Sequence, residues 1–368
     1  MATNDTAELY FADAQVTALE KNKTLPAKFG RMLKRFKLAD KLAGKNVAIK
    51  MHLGSDLGYT TISPVFVRIL VDAVKEAGAK SVKIMDGCDP ERGVGRGYTE
   101  EVLGCLIVNA FGADGKDLRP EKIGYKELDE VFLAGEAVDT DFFIDFSHVK
   151  GHGSCGFGGS LKNIAMGLTP PQSRSRLHQL EGGLTLDPEK CIYCMKCFNN
   201  CNNNAIHKND EKKEISFFFH NCTFCQHCVL VCPEDAISIE NRTFDDFASG
   251  MALVTAKFLE KFSRDNLLFI NVLTNITIYC DCWEFSTPSL VPDIGIVAGT
   301  DLAAVDTASL DMIKTENLLS NGLPVGRELV DVEGHLFEKI HAKDPYLMIS
   351  LLQKYYECTT KYKLTEVK

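Results

Sequence analysis

The chain has 368 residues, 45% hydrophobic and 25% charged, which suits a large core with a smaller module attached and excludes a disordered or fibrous protein. Its formal net charge of -9 argues against nucleic acid as a partner, because phosphate binding needs a clustered positive surface. No apolar run reaches the length of a membrane span, and residues 1–15 lack a basic start followed by an apolar stretch, so the expectation is a cytoplasmic protein with neither span nor signal peptide.

Residues 47–51 are a short apolar run of strand length. Pro64 then opens a segment in which Val65, Phe66, Ile69, Leu70, Ala73 and Val74 recur with helical period before a stop at Gly78. Residues 81–85 read as a second buried strand, 99–110 as a helix and 141–147 as a further strand. Strands alternating with helices predict an α/β fold built on a mainly parallel sheet with flanking helices.

In such sheets ligands bind beyond the carboxyl ends of the strands, and here those ends carry titratable side chains. Lys50 and His52 close the first strand two residues apart, on one side of an extended chain. Asp86 and Asp89 flank Gly87 and Cys88 after the next, and the strand at 141–147 runs into His148, Lys150 and His152. A lysine or histidine at one strand end is ordinarily a solvated surface group. Recurrence on successive strands points to a shared site, with Lys50, His52, Asp86 and His152 as its acid/base candidates.

Residues 151–160 are glycine-rich and lead into an apolar, helix-like segment. Backbone amides at such a turn can cradle an anion, so Gly153, Gly156, Gly158 and Gly159, with Lys162 and Asn163, are expected to hold an anionic or nucleotide-derived cofactor or a small anionic substrate. Lys150, Arg174 and Arg176 add positive charge, and a tight structural turn is the alternative. Gly151, Gly153 and Gly156 satisfy G-x-G-x-x-G, but Pro170-Pro171 stands where a dinucleotide fold needs its second strand, and no lysine is placed as in a Walker loop.

The strongest motif follows. C-x-x-C-x-x-C-x-x-x-C occurs at Cys191, Cys194, Cys197, Cys201 and again at Cys222, Cys225, Cys228, Cys232, the second run ending in Pro233. In two-cluster ferredoxins the fourth cysteine of each run ligates the other cluster. Cys191, Cys194, Cys197 and Cys232 are therefore assigned to one [4Fe-4S] cluster, and Cys222, Cys225, Cys228 and Cys201 to the other. Structural zinc usually takes two cysteine pairs separated by a longer gap, and a [3Fe-4S] centre at one position is the main variant. Residues 186–242 thus read as a small α+β ferredoxin-like insert, with 1–185 and 243–368 forming one discontinuous α/β host domain. The other six of the 14 cysteines show no disulfide framework, as expected of a reducing and here anaerobic setting.

Beyond the insert, Phe244, Phe247, Met251, Val254, Phe258 and Phe262 form one helical stripe, more a core face than a cofactor contact. Strands are expected at 267–272 and 294–298, a helix at 301–312, and helical structure to the end. Cys280 and Cys282, two apart, could bind a further metal with His152 or Cys155, face the clusters, or be plain buried thiols.

Together, Gly156-Phe157-Gly158-Gly159-Ser160-Leu161-Lys162-Asn163, Cys280-Asp281-Cys282 and Pro292-Asp293-Ile294-Gly295 leading to Asp301 and Asp306 resemble the domain-of-unknown-function 362 family, whose members often carry a dicluster ferredoxin insert. The segment from His152 to Gly156-Phe157 with Lys162 is similar to the cofactor loop of nickel-pincer lactate racemases. That resemblance implies a proton- or hydride-transfer histidine at 152 and a lysine at 162 holding a nucleotide-derived cofactor. The leading expectation is an iron-sulfur oxidoreductase relaying electrons between a soluble redox protein and a small anionic molecule. A non-enzymatic electron carrier or cofactor-assembly protein, and a racemase-like isomerase, are the alternatives. No sequence feature specifies an oligomeric state.

Overall fold

The structure, a computed structural model, describes residues 6–368 except 55–57, 182–183, 202–203, 219–221, 223–226, 240–242 and 284–285. An eight-stranded sheet runs in the order Tyr362–Glu366, Ala7–Asp13, Gly295–Gly299, Leu267–Leu273, Phe142–His148, Asn46–Lys50, Ser81–Asp86, Leu106–Asn109. Only Gly295–Gly299 runs antiparallel to its neighbours. Every other pairing is parallel.

Period-two patterning sorts side chains to the two faces. From strand Phe142–His148, Phe142, Ile144 and Phe146 join one core, which also holds Phe29, Met32, Val67 and Leu70 of helices Leu25–Arg35 and Pro64–Glu76. Phe143 joins the other, with Phe247, Met251 and Phe258 of helix Phe244–Leu259. The aromatic stripe is accordingly core. On that second face Asp145, Ser147 and Asn271 are buried polar residues beneath the short helix Ser160–Ala165, so the sheet is apolar at its margins and polar where that helix covers it.

Three elements differ from the expectations. Residues 99–110 are not one helix: helix Glu100–Leu103 ends at Gly104, whose φ of 79° an L side chain rarely adopts, and Leu106–Asn109 becomes the sheet's edge strand. The C-terminal region has helices Leu336–His341 and Leu347–Tyr355 but finishes in strand Tyr362–Glu366. That strand pairs parallel with Ala7–Asp13. The partner of Tyr362–Glu366 lies at the opposite end of the sequence, so local periodicity carries no sign of that pairing.

The cysteine-rich segment stands apart from the sheet. Leu184–Leu186 pairs antiparallel with Ile237–Ile239 at its base, and Ile206–Asn209 forms a hairpin with Glu214–Phe217. It has its own small core of Leu184, Cys197, Ala205, Ile206, Ile215, Cys222, Cys228 and Ile237. Among the described residues no helix is long and apolar enough to cross a membrane.

Phe143 ties the sheet to the long helix, with its ring 4.7 Å from Phe258 and 5.7 Å from Phe262 between centroids. Phe143→Ala leaves a cavity at this contact and is expected to cost about 3–5 kcal/mol. The urea midpoint read by circular dichroism checks it; a loss below about 1 kcal/mol would contradict this packing.

Candidate active site

The chain leaves strand Asn46–Lys50 towards Ser81–Asp86 on one side, whereas Phe142–His148 leads to Leu267–Leu273 on the other. Their junction is the switch point at which open α/β sheets form a crevice. Lys50 and Asp145 are register partners there, and a pocket of about 80 Å³ lies beyond the strand ends.

Lys50, fully buried, donates from Nζ to Asn163 Oδ1 at 2.6 Å and pairs with Asp86 Oδ1 at 2.9 Å. Gly167 makes room for it, since a Cβ there would lie 2.5 Å from both Lys50 Cε and Nζ. The other Asp86 oxygen accepts from the Leu53 amide at 2.9 Å and meets His52 Nδ1 at 2.8 Å. Burial alone would raise the Asp86 carboxyl, but the Lys50 and His52 charges and these hydrogen bonds outweigh it and hold it well below the usual range. A carboxylate at Nδ1 puts the proton there and leaves a lone pair on Nε2, an atom with no hydrogen-bond partner among the described residues. His52, lining the pocket, is thus arranged as a base.

His152 has the opposite tautomer. Its Nδ1 accepts from the amides of Ser154 and Cys155, both at 3.1 Å, so a neutral ring carries its proton on Nε2. A second charge cluster supports this wall: Asp281 meets His148 Nδ1 at 2.7 Å and Lys150 Nζ at 2.6 Å, and Lys150 also donates to Thr60 Oγ1 at 2.9 Å. Against burial, Lys150 and His148 keep Asp281 strongly ionised.

Cys280 and Cys282 form a disulfide, and with His152 they bring three atoms of metal-ligating type within 4.8 Å of one another. Lys162 Nζ lies 3.3 Å from each sulfur. Burial draws the Lys162 ammonium and the Arg174 guanidinium below their ordinary ranges. Neither takes part in an ion pair among the described residues, and both line the pocket.

The glycine-rich turn departs from the expected open cradle. Asp306 Oδ1 accepts from the Ser160 amide at 2.9 Å and Oδ2 from Leu161 at 3.0 Å, so an internal carboxylate already fills the first-turn amides. Gly158, Gly159, Lys162 and Asn163 do line the pocket, but Gly153 and Gly156 do not. Gly156 instead pairs with His152 in the hairpin of Lys150–His152 with Gly156–Gly158. Arg176, also expected to add charge, points to the Glu130 carbonyl at the surface.

Sequence reasoning missed Asp145 and the role of Asp281. Asp145 accepts from Asn163 Nδ2 at 2.8 Å and from Ser147 Oγ. It lies inside an apolar run, and only its register opposite Lys50 reveals it. Asp281, between the two cysteines, could have been found by giving the strand-end cations an acidic partner.

Away from this pocket, Cys191, Cys194, Cys197 and Cys232 line one cavity with Ile192, Ile215 and Ile237. The Ala205 amide donates to Cys201 Sγ at 3.2 Å and the Ala236 amide to Cys232 Sγ at 3.3 Å. Cys222 and Cys228 are buried in the same small core, while Cys225 lies outside the described residues. Ser154 Oγ donates to the Cys222 carbonyl at 3.2 Å, joining the His152 loop to the cysteine segment.

Residues 47–311 match the family described as Domain of unknown function (DUF362). Among solved structures the chain is similar to a Thermotoga maritima protein at 14% identity, covering 69% of this chain and 52% of that one, with a TM-score of 0.34. The chain thus spans about half the length of that protein. It is also similar to the lactate racemase apoprotein of Thermoanaerobacterium thermosaccharolyticum, at 12% identity over 98% of this chain and 83% of that one, with a TM-score of 0.41. The likeness to L-idonate 5-dehydrogenase of Escherichia coli has 21% identity over 38% of this chain and 29% of that one, with a TM-score of 0.19.

Burial lifts the Asp145 carboxyl to about 7, although hydrogen bonds from Ser147, Ser160 and Asn163 and the Lys50 charge oppose it. With the folded value above the ordinary 3.8, the folded chain keeps a proton that the unfolded chain has released, so this site's contribution to stability falls as pH rises between the two values. Asp145→Asn removes the titration and keeps the shape. Its urea midpoint relative to the parent's is expected to climb from about pH 4 to about pH 7 and then level off; a difference that does not change with pH would refute the raised value.

Proposed function

The chain belongs to the DUF362 family, a membership that names no reaction, and we propose that it is an iron-sulfur oxidoreductase that relays electrons between a soluble redox protein and a small anionic molecule in the sheet-end pocket. The observation that carries this reading is the cavity lined by Cys191, Cys194, Cys197 and Cys232. The fourth cysteine of the second run meets the first three of the first run, as the exchanged ligand of a two-cluster site requires.

The residues present fit such groups. Four thiols surround one cavity whose other walls are largely apolar, and amides are directed at Cys201 and Cys232 as second-shell donors to thiolate sulfur. One [4Fe-4S] cluster would be held by Cys191, Cys194, Cys197 and Cys232, and the other by Cys201, Cys222, Cys225 and Cys228. Each would supply reversible storage of a single electron.

In the pocket, Arg174 with Lys162 supplies positive charge for an anionic molecule. The His52 ring presents Nε2 to the pocket while Asp86 fixes its orientation at Nδ1, and His152 holds a donatable proton at its own Nε2. Asp281 keeps Lys150 and His148 in place behind them. Two histidines of opposite tautomer in one enclosed space suit a reduction in which electrons and protons arrive at different atoms.

Anaerobically purified protein is expected to contain about eight iron and about eight acid-labile sulfide per chain. Cys232→Ser should lose roughly half of the iron while the variant stays folded by circular dichroism. Zinc without sulfide would overturn the reading. A full complement of iron that no soluble one-electron donor can reduce would overturn the electron-transfer role.

A further inference from the structure

The disulfide in the pocket wall is left unused by that role. Cys280 is 5% exposed and Cys282 is half-buried, so the two sulfurs differ in access. Lys162 Nζ is equidistant from both, and the Cys282 amide points to Cys280 Sγ at 3.4 Å. A ring nitrogen of His152 lies within 4.8 Å of both sulfurs. A neutral disulfide gains little from a buried ammonium, whereas a thiolate at either position gains a charge-assisted hydrogen bond and relieves the cost of burying the lysine. The surroundings suit a thiolate at either position.

We propose that Cys280 and Cys282 are a redox-active pair that cycles between disulfide and dithiol, with a low-molecular-weight dithiol as the reductant. One thiolate of the reductant attacks Cys282 Sγ, the more accessible sulfur. The Cys280–Cys282 bond breaks, a mixed disulfide forms, and the electron pair leaves on Cys280 Sγ, where Lys162 holds the charge. The second reductant thiolate attacks the reductant's own sulfur in the mixed disulfide. Cys282 is released as a thiolate and the reductant departs as a cyclic disulfide. Two electrons reach the protein, and each cysteine thiolate takes up one proton in place of the two given up by the reductant, Cys280 holding its charge against Lys162 until it does so. This inference goes beyond the electron-transfer role and does not depend on cluster content.

The test equilibrates full-length, anaerobically purified protein in mixtures of reduced and oxidised dithiothreitol, quenches with an alkylating agent under denaturing conditions, and locates the label by peptide mass spectrometry, with iron counted in the same samples. Cys280 and Cys282 should become labelled together, in a single two-electron transition, at unchanged iron content. Native alkylation of the reduced pair near neutral pH should be about tenfold slower in Lys162→Met than in the parent, and Lys162→Arg should restore most of the rate. The proposal fails if the two cysteines stay reduced at every poise, if they are protected by a metal ion that a chelator removes, or if Lys162→Met reacts at the parent rate. Iron loss in the parent would count against the cluster reading alone, because the labelling pattern at residues 280 and 282 is read independently.

Discussion

The ammonium of Lys50 is the group on which the site depends. It is shut away from water at the centre of the sheet, where an unpaired charge would cost several kcal/mol and removing one partner of a buried pair typically costs about 3–5 kcal/mol. Asp86 supplies the countercharge and Asn163 a second acceptor. Because Asn163 also donates to Asp145 while Lys50 pairs with Asp86, residues 50, 86 and 145 of three adjacent strands are set relative to one another through these two side chains. Helix Ser160–Ala165 must then sit where Asn163 can reach, and Asp306 fixes its first turn while accepting from Asn271 Nδ2 at 2.7 Å. The polar seam so formed joins residues from both sides of the cysteine-rich segment.

This seam accounts for the tautomers in the pocket. Asp86, committed to Lys50, presents its remaining oxygen to His52 and so decides which nitrogen of that ring faces onward. His152 is governed by backbone amides of its own loop, which no change of charge in the pocket can withdraw. The side chain bearing the stronger constraint is therefore held by the chain's covalent path, and the other by an electrostatic network.

Much of this was legible in the sequence, for physical reasons that can be named. Strand and helix periods are local, so the parallel core, the long aromatic helix and the titratable strand ends were all readable. The cysteine spacing is also local, and Cys191, Cys194, Cys197 and Cys232 line one cavity. What escaped depends on register between distant segments. Asp145 reads as an interruption in an apolar strand until Lys50 is placed opposite it. Asp306 reads as a helix residue until its carboxylate is found on the turn at Ser160, where it displaces the anion the glycines seemed to await. Strand Tyr362–Glu366 escaped for the same reason, since its partner Ala7–Asp13 lies hundreds of residues away, whereas Leu106–Asn109 was hidden by a helical pattern that Gly104 interrupts.

The placement of strand Ala7–Asp13 bears on how the chain reaches its final form. It lies between Gly295–Gly299 and Tyr362–Glu366, and the Val367 amide closes on the Phe11 carbonyl at 2.7 Å. During synthesis strand Ala7–Asp13 emerges with neither neighbour available and waits until strand Tyr362–Glu366 has left the ribosome. The half of the sheet carrying Lys50 and Asp86 can assemble well before the margin formed by Ala7–Asp13 and Tyr362–Glu366. Such long-range pairing slows folding and leaves a strand edge open in the nascent chain. The half carrying the sheet-end pocket is thus formed while the molecule remains sticky at its rim, which makes closure of that rim the step most open to aggregation and to protection by chaperones.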